Sequence, residues 1–146
     1  MGKKLKIFGD GVDLNRLKAI AADDKNIEFL GRVDDETKAE LYSRSLAFIN
    51  PQEEDFGITA VEAMASGRPV IAFKSGGALE TVIAGVTGEF FNEQTVDSLA
   101  EALNNFDRAK FSPEIIKQHA EKFSVANFKK EITKYIDEAW KNFKNN

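Results

Sequence analysis

Two acidic side chains, Glu54 and Glu62, stand with seven residues between them in the stretch from Asn50 to Val70. An apolar run, Leu46-Ala47-Phe48-Ile49, precedes them and reads as a buried strand. A polar, turn-forming segment follows. Ile58, Val61, Met64 and Ala65 then recur at helical spacing as far as Gly67, where a helix would end. Pro69 opens a second apolar run, Val70-Ile71-Ala72-Phe73. A helix starting near Phe56 to Ile58 leaves its first backbone N–H groups without intrahelical partners and turned toward the loop. Such ends attract anions, phosphate above all. Gly57, with no side chain, lets a ligand approach the backbone. Glu54 falls in the loop and Glu62 about one turn inside the helix, so the two carboxylates can flank one small ligand and accept hydrogen bonds from its hydroxyls. Ribose and hexose both carry vicinal diols, and the pattern suits a nucleotide-sugar. The competing reading is an amphipathic helix of any α/β protein, with Glu62 on its solvated face.

The elements around this pair alternate. Leu5-Lys6-Ile7-Phe8 reads as a strand running into the turn Gly9-Asp10-Gly11. A helix from Asp13 to Ala22 follows, with Leu14, Leu17 and Ile20 inside. The Gly-x-Gly invites a dinucleotide-binding reading, but position 14 is Leu where a third glycine is needed, and no acidic residue ends a second strand in the right place. The alternative is a tight turn at the carboxyl edge of the sheet, where α/β proteins bind ligands. Ile27 to Leu30 reads as the second strand, ended by Gly31. Asp34-Asp35-Glu36 supplies a cap and an acidic first turn for a helix through Lys38, Leu41 and Tyr42. After Phe73, Lys74-Ser75-Gly76-Gly77-Ala78-Leu79-Glu80 is another strand-to-helix turn into a short helix, with Glu80 compensating the helix dipole. Gly85 to Phe91 gives a turn and a fifth strand. The rest is helical: Thr95 to Phe106, a helix opened by Ser112-Pro113 and containing His119, and a last helix capped by Ser124. That last helix carries Phe128, Ile132, Tyr135, Ile136, Ala139, Trp140 and Phe143 as a broad stripe. Strands alternating with helices predict a parallel, doubly wound α/β sheet of about five strands with right-handed crossovers.

With 146 residues, 42% hydrophobic and 30% charged, the chain has the composition of one globular domain. It has no cysteine, which excludes disulfides and thiolate metal sites, and its one histidine, His119, cannot build a histidine cluster alone. A net charge of −4 gives no general case for nucleic acid as a partner. No apolar run is long enough to span a bilayer. Met1-Gly2-Lys3-Lys4-Leu5 is followed by no apolar h-region of a signal peptide. A cytoplasmic domain is expected.

The segment Glu54-Asp55-Phe56-Gly57-Ile58-Thr59-Ala60-Val61-Glu62-Ala63-Met64-Ala65-Ser66-Gly67-Arg68-Pro69-Val70-Ile71-Ala72 resembles the signature of the retaining group 1 (GT4-type) glycosyltransferases. The resemblance implies the donor-binding, Rossmann-like half of a GT-B fold. It gives a nucleotide-sugar-binding domain over 1–123 and a C-terminal amphipathic helix over 124–146 packing on it. It implies Glu54 as the catalytic carboxylate, Glu62 on the ribose diol, and the amides of Phe56, Gly57 and Ile58 on the sugar and distal phosphate. Phe29-Leu30-Gly31-Arg32-Val33-Asp34-Asp35 also resembles the family, whose members lay the nucleobase here. Gly31, Val33, Asp35 and Lys38 are donor-binding candidates on that ground, against an ordinary cap and an exposed helical lysine. The family also has a Gly-x-Gly at Gly9 and Gly11, and its Gly-Gly-x-x-Glu places Gly76 and Gly77 beside the donor phosphates or sugar. The implied donor is a UDP- or GDP-hexose, a substrate, with no cofactor and no metal.

The resemblance covers only the last part of the family's length. It leaves out an acceptor domain of roughly 150 to 200 residues and a first strand and helix whose Arg and Lys grip the diphosphate. Only Lys3, Lys4 and Lys6 stand upstream of Gly9. The chain is therefore expected to be inactive alone and to bind donor weakly. It would need an N-terminal acceptor domain or subunit, through which it would sit at the membrane periphery, and the last helix offers a surface for that partner or for a homo-oligomer. The alternatives are a non-catalytic nucleotide-binding or subunit-docking module and, less in keeping with the Phe-Gly and Glu-Ala-Met-Ala context, a GT-B phosphorylase or epimerase.

Overall fold

The structure, a computed structural model, describes residues 3–22 and 24–144. The leader reading at Met1 and Gly2 and the end of the C-terminal segment, Asn145 and Asn146, lie outside the described residues. The chain divides into two compact units, Met1–Glu40 and Leu41–Asn146.

In the first unit β1 (Leu5–Phe8) pairs in parallel with β2 (Ile27–Gly31), and α1 (Leu14–Ala21) makes the crossover that parallel pairing requires. The expectation that Leu14, Leu17 and Ile20 lie inside is corrected here: α1 buries no residue, Leu14 is half-buried, and Leu17 and Ile20 are exposed. A ladder of two strands offers too narrow a face to cover a helical stripe. α2 (Asp35–Arg44) runs across the unit boundary. Asp34 caps it, its Oδ1 accepting from the Thr37 N–H at 2.8 Å, and hydrogen bonding from the Thr37 side chain, then from this N–H, holds the Asp34 carboxyl below the usual range.

The second unit holds a parallel sheet ordered β3 (Phe48–Asn50), β4 (Val70–Phe73), β5 (Gly88–Phe91). Its helices are α3 (Ile58–Ala65), α4 (Ala78–Thr81), α5 (Val96–Asn105), α6 (Pro113–Ala120) and α7 (Val125–Lys144), with 3-10 turns at Arg108–Lys110 and Glu121–Phe123. Within each unit the paired strands are parallel, and strands alternate with helices along the chain, the α/β class that the alternation predicts. Their ladders form a pair and a trio, β3 contributing three residues whose ladder runs to β4.

The core of this unit is the inner face of α3. Val61 and Met64 meet Val70 and Ala72 of β4, Val82, Phe111 and Ile116. Met64 and Ile116 are fully buried, each such side chain stabilising by about 1.5–3 kcal/mol. α3 ends as its sequence predicts. Gly67 takes φ +73°, its N–H donates to the Met64 carbonyl and that of Arg68 to Ala63, a Schellman closure. Ser112 caps α6 through the Ile115 N–H, with Pro113 in the first turn.

α7 departs from expectation. It does not pack on the sheet: none of its residues is buried, and its contacts within the unit run chiefly to the Glu121–Phe123 turn. Phe128, Tyr135, Ile136, Trp140 and Phe143 all stand exposed. The core cluster is built by α3, β4, α6 and the segments between them and includes no residue of α7. Ile136→Asp is accordingly expected to change unfolding free energy by less than about 0.5 kcal/mol in a urea titration, where a buried isoleucine would cost several times more. No described helix is long and apolar enough to cross a membrane.

Candidate functional site

β3 delivers the chain to Pro51, and the loop to Phe56 is tied down from two sides. Gln94 Nε2 donates to the Pro51 carbonyl at 3.0 Å, and the Gly77 N–H donates to the Glu54 carbonyl at 2.7 Å. The Gly76-Gly77 turn lies directly on this loop. A Cβ on Gly76 would fall 2.4 Å from the Glu54 carbonyl oxygen, and one on Gly77 2.5 Å from the Asp55 carbonyl oxygen and 2.5 Å from the Phe56 Cα. Two backbones meet there, which is why side chains are absent at both positions.

The loop ends at Gly57, the N-cap of α3, in the left-handed region at φ +77°. The Ala60 and Val61 N–H groups turn back to the Gly57 carbonyl, whereas those of Ile58 and Thr59 reach no backbone acceptor among the described residues. Glu54 stands at this mouth. Its Oε2 is 3.3 Å from where a Gly57 Cβ would be, and its Oε1 accepts from Gln52 Nε2. The first carboxylate and the free end of the helix dipole are therefore adjacent, as the sequence predicts. The Phe56 ring is turned onto Phe123, edge to face at 5.9 Å, and the Ile58 side chain is exposed.

Glu62 lies four residues into α3 from Ile58, on the same helical face one turn further along. It is half-buried, and the Tyr42 hydroxyl donates to its Oε2 at 3.3 Å. Tyr42 is 3% exposed, its ring edge-on to Phe48 at 5.5 Å. Burial, then the Glu62 charge and this hydrogen bond, push the Tyr42 phenol above its ordinary range. In the unfolded chain that phenol ionises near pH 10, so the stability it contributes is complete below about pH 10 and is lost as pH climbs toward the raised folded value. Tyr42→Phe is expected to flatten this alkaline decline in urea unfolding measured from pH 9 to 11. An unchanged slope would mean that the phenol is not buried against Glu62.

In the first unit, Gly9 (φ +111°) and Gly31 (φ +66°) close the carboxyl ends of β1 and β2, the Gly9 N–H donating to the Gly31 carbonyl at 2.7 Å. A Cβ on Gly9, Gly11 or Gly31 would meet nothing within 4 Å, so backbone is open there. Val33 is half-buried, and Lys38 Nζ and Asp35 Oδ1 form an ion pair at 3.1 Å. Glu80 is exposed in the first turn of α4. His119 is buried and its Nε2 lies 2.8 Å from the Thr81 carbonyl, with the ring edge-on to Phe123, a packing role. Among the described residues no group of three or more His, Cys, Asp or Glu side chains could hold a metal ion. An open groove along α7, lined by Lys129, Lys130, Lys134, Asp137, Glu138 and Lys141, is walled by charged side chains of one helix and does not include the α3 mouth.

Sequence reasoning missed Asn50, Gln52 and Tyr42 as neighbours of the two glutamates. For Asn50 a signal existed: a polar residue closing the apolar run Phe48-Ile49.

The model of the family described as glycosyl transferases group 1 matches residues 3–123. The chain belongs to the group 1 glycosyltransferases. Over 82 residues it is 42% identical to the alpha-1,3/1,6-mannosyltransferase ALG2 of Dictyostelium discoideum, covering 56% of this chain and 19% of that one. Over 133 residues it is 30% identical to the poly(glycerol-phosphate) alpha-glucosyltransferase of Bacillus subtilis, covering 86% and 20%. Its fold matches that of Anabaena Alr3699/HepE in complex with UDP and glucose, with TM-score 0.75, 25% identity, and coverage of 92% of this chain and 40% of that one. The chain thus spans between about a fifth and two fifths of the length of these relatives. The GT-B, Rossmann-like expectation holds in these similarities.

Proposed function

We propose that this chain is the nucleotide-sugar-binding part of a retaining glycosyltransferase that moves a hexose from a UDP- or GDP-sugar to a glycan or lipid acceptor. The observation that carries the reading is the mouth of α3, where N–H groups without a backbone acceptor among the described residues open beside the Glu54 carboxylate, with Glu62 one turn in. Glu62 holds the ribose diol, two hydroxyls on one carboxylate, while Tyr42 fixes that carboxylate from the core. The amides of Phe56, Gly57 and Ile58 take the distal phosphate. Negative charge that develops on the departing diphosphate is stabilised by the helix N-terminus. Glu54 faces the sugar and stabilises its oxocarbenium-like carbon. Gly76 and Gly77 serve the donor by holding the loop in place. In the first unit, Val33, Asp35 and Lys38 are assigned to the nucleobase, and Gly9, Gly11 and Gly31 to close backbone approach. No metal or cofactor enters the scheme.

Transfer also needs an acceptor-binding half, as a domain or a separate subunit. The exposed α7 stripe supports a docking role toward that half or toward a second copy. The chain alone is expected to bind donor without transferring sugar, in the cytoplasm, and to reach a membrane only through that partner. Titration of the 146-residue chain with UDP, GDP, ADP and their hexose conjugates, followed by NMR, tests the reading. Shifts concentrated in residues 31–38 and 54–62 are expected. An unperturbed spectrum at millimolar ligand would leave a docking module as the better description.

A further inference from the structure

The geometry points to Asn50 as the residue that positions Glu54 for the donor sugar, a role that rests on the donor-binding reading and deepens it. Asn50 is the last residue of β3, paired with Ala72 in the ladder, and is 2% exposed. Its Nδ2 lies 3.7 Å from the point a Gly57 Cβ would occupy, and Glu54 Oε2 lies 3.3 Å from the same point. An amide donor and a carboxylate oxygen therefore both stand within 4 Å of the space that a side chain at Gly57 would take. The other end of the amide, Oδ1, is buried and has no hydrogen-bond partner among the described residues.

This is a poor arrangement for stability. Buried amide oxygens are normally hydrogen-bonded, and one left without a partner is inferior to an apolar side chain of similar volume. The surroundings favour an apolar residue: Phe48 and Ile49 precede it on the strand, and Ala72 and Ile71 are buried beside it. The amide makes sense if its role begins with ligand. Gln52 already holds Glu54 Oε1 from the solvent side. Asn50 supplies the inner counterpart, a neutral donor that draws Oε2 toward the helix mouth without cancelling its charge. A cation there would neutralise the carboxylate, and an apolar residue would leave it free to swing into solvent. Asn50 is therefore a positioning residue, acting on the sugar through Glu54.

The test compares wild-type chain with Asn50→Leu and Asn50→Asp by titration calorimetry against UDP-glucose and GDP-mannose, and against UDP and GDP alone, with thermal unfolding alongside. For Asn50→Leu the thermal midpoint is expected to hold or rise. Affinity for whichever sugar nucleotide the wild type binds should fall about tenfold, with affinity for the free diphosphate unchanged. Asn50→Asp keeps the shape, replaces the donor with like charge and is expected to lose at least as much. Sugar-nucleotide affinity equal to wild type in both variants would overturn the inference while leaving the donor-binding reading intact. Equal losses of sugar nucleotide and diphosphate, together with a lowered midpoint, would reduce Asn50 to a fold-supporting role and also overturn it. A wild-type chain that binds none of the four ligands would remove the donor-binding reading, and this inference with it.

Discussion

Glu62→Gln is expected to weaken binding of a nucleoside diphosphate and of its sugar conjugate alike, by tenfold or more, whereas Glu54→Gln should weaken the conjugate alone. The split follows from where the two carboxylates stand. Glu62 lies inside α3, held by the Tyr42 hydroxyl, and is the carboxylate proposed for a ribose diol that both ligands carry. Glu54 lies ahead of the helix over Gly57 and is the carboxylate proposed for the sugar. A carboxylate accepting from two hydroxyls makes two charge-assisted bonds, each worth about 1.5–3 kcal/mol. The side-chain amide introduced by Glu62→Gln would keep the shape and lose the charge, and tenfold corresponds to about 1.4 kcal/mol. In a form of the enzyme that includes the acceptor half, each variant should cut turnover by an order of magnitude or more. Calorimetric titration of the two variants with UDP and UDP-glucose, or GDP and GDP-mannose, checks the split. Uniform losses in both variants would mean that Glu54 does not face the sugar.

The second large effect is structural. Gly77→Ala places a methyl group 2.5 Å from two backbone atoms of the Asp55-Phe56 segment and 2.7 Å from a third, the Phe56 carbonyl oxygen. No rotamer change relieves a clash with backbone, so either the loop moves or the turn does. The Gly77 N–H bond to the Glu54 carbonyl lies in the same contact and would be strained with it. Overpacking of this kind costs about 1–3 kcal/mol, and backbone displacement puts this site at the upper end. Urea unfolding should show that loss, and donor affinity should fall with it because Glu54 is displaced. Gly11→Ala is the control: its Cβ would meet nothing within 4 Å, so stability should change by less than about 0.5 kcal/mol. Equal effects at both positions would mean that the Gly77 contact is not tight.

The contrast between those two glycines shows what a sequence carries and what it does not. Local chemistry was legible: the Gly67 closure of α3, the Ser112-Pro113 start of α6 and the parallel β3-α3-β4 unit each follow from residue types within a few positions of one another. The mouth of α3 beside Glu54 was legible for the same reason. Contacts between residues far apart in the chain were not. Gly76 and Gly77 read as ligand-facing glycines, yet their close neighbours are the carbonyls of a loop some twenty residues earlier. Tyr42 reads as one more helical aromatic until the fold sets its hydroxyl against Glu62. Leu17 and Ile20 of α1 and the stripe of α7 show the converse error. Apolar periodicity predicts a face to be covered, but it does not say that the covering surface lies in the same unit.

A crystal of this chain grown with UDP-glucose or GDP-mannose tests the central claim most directly. The expected result is a ribose diol within hydrogen-bond distance of the Glu62 carboxylate, the distal phosphate on the Phe56, Gly57 and Ile58 amides, and the hexose beside Glu54. Ligand density elsewhere on the molecule, with the α3 mouth filled only by solvent, would contradict it.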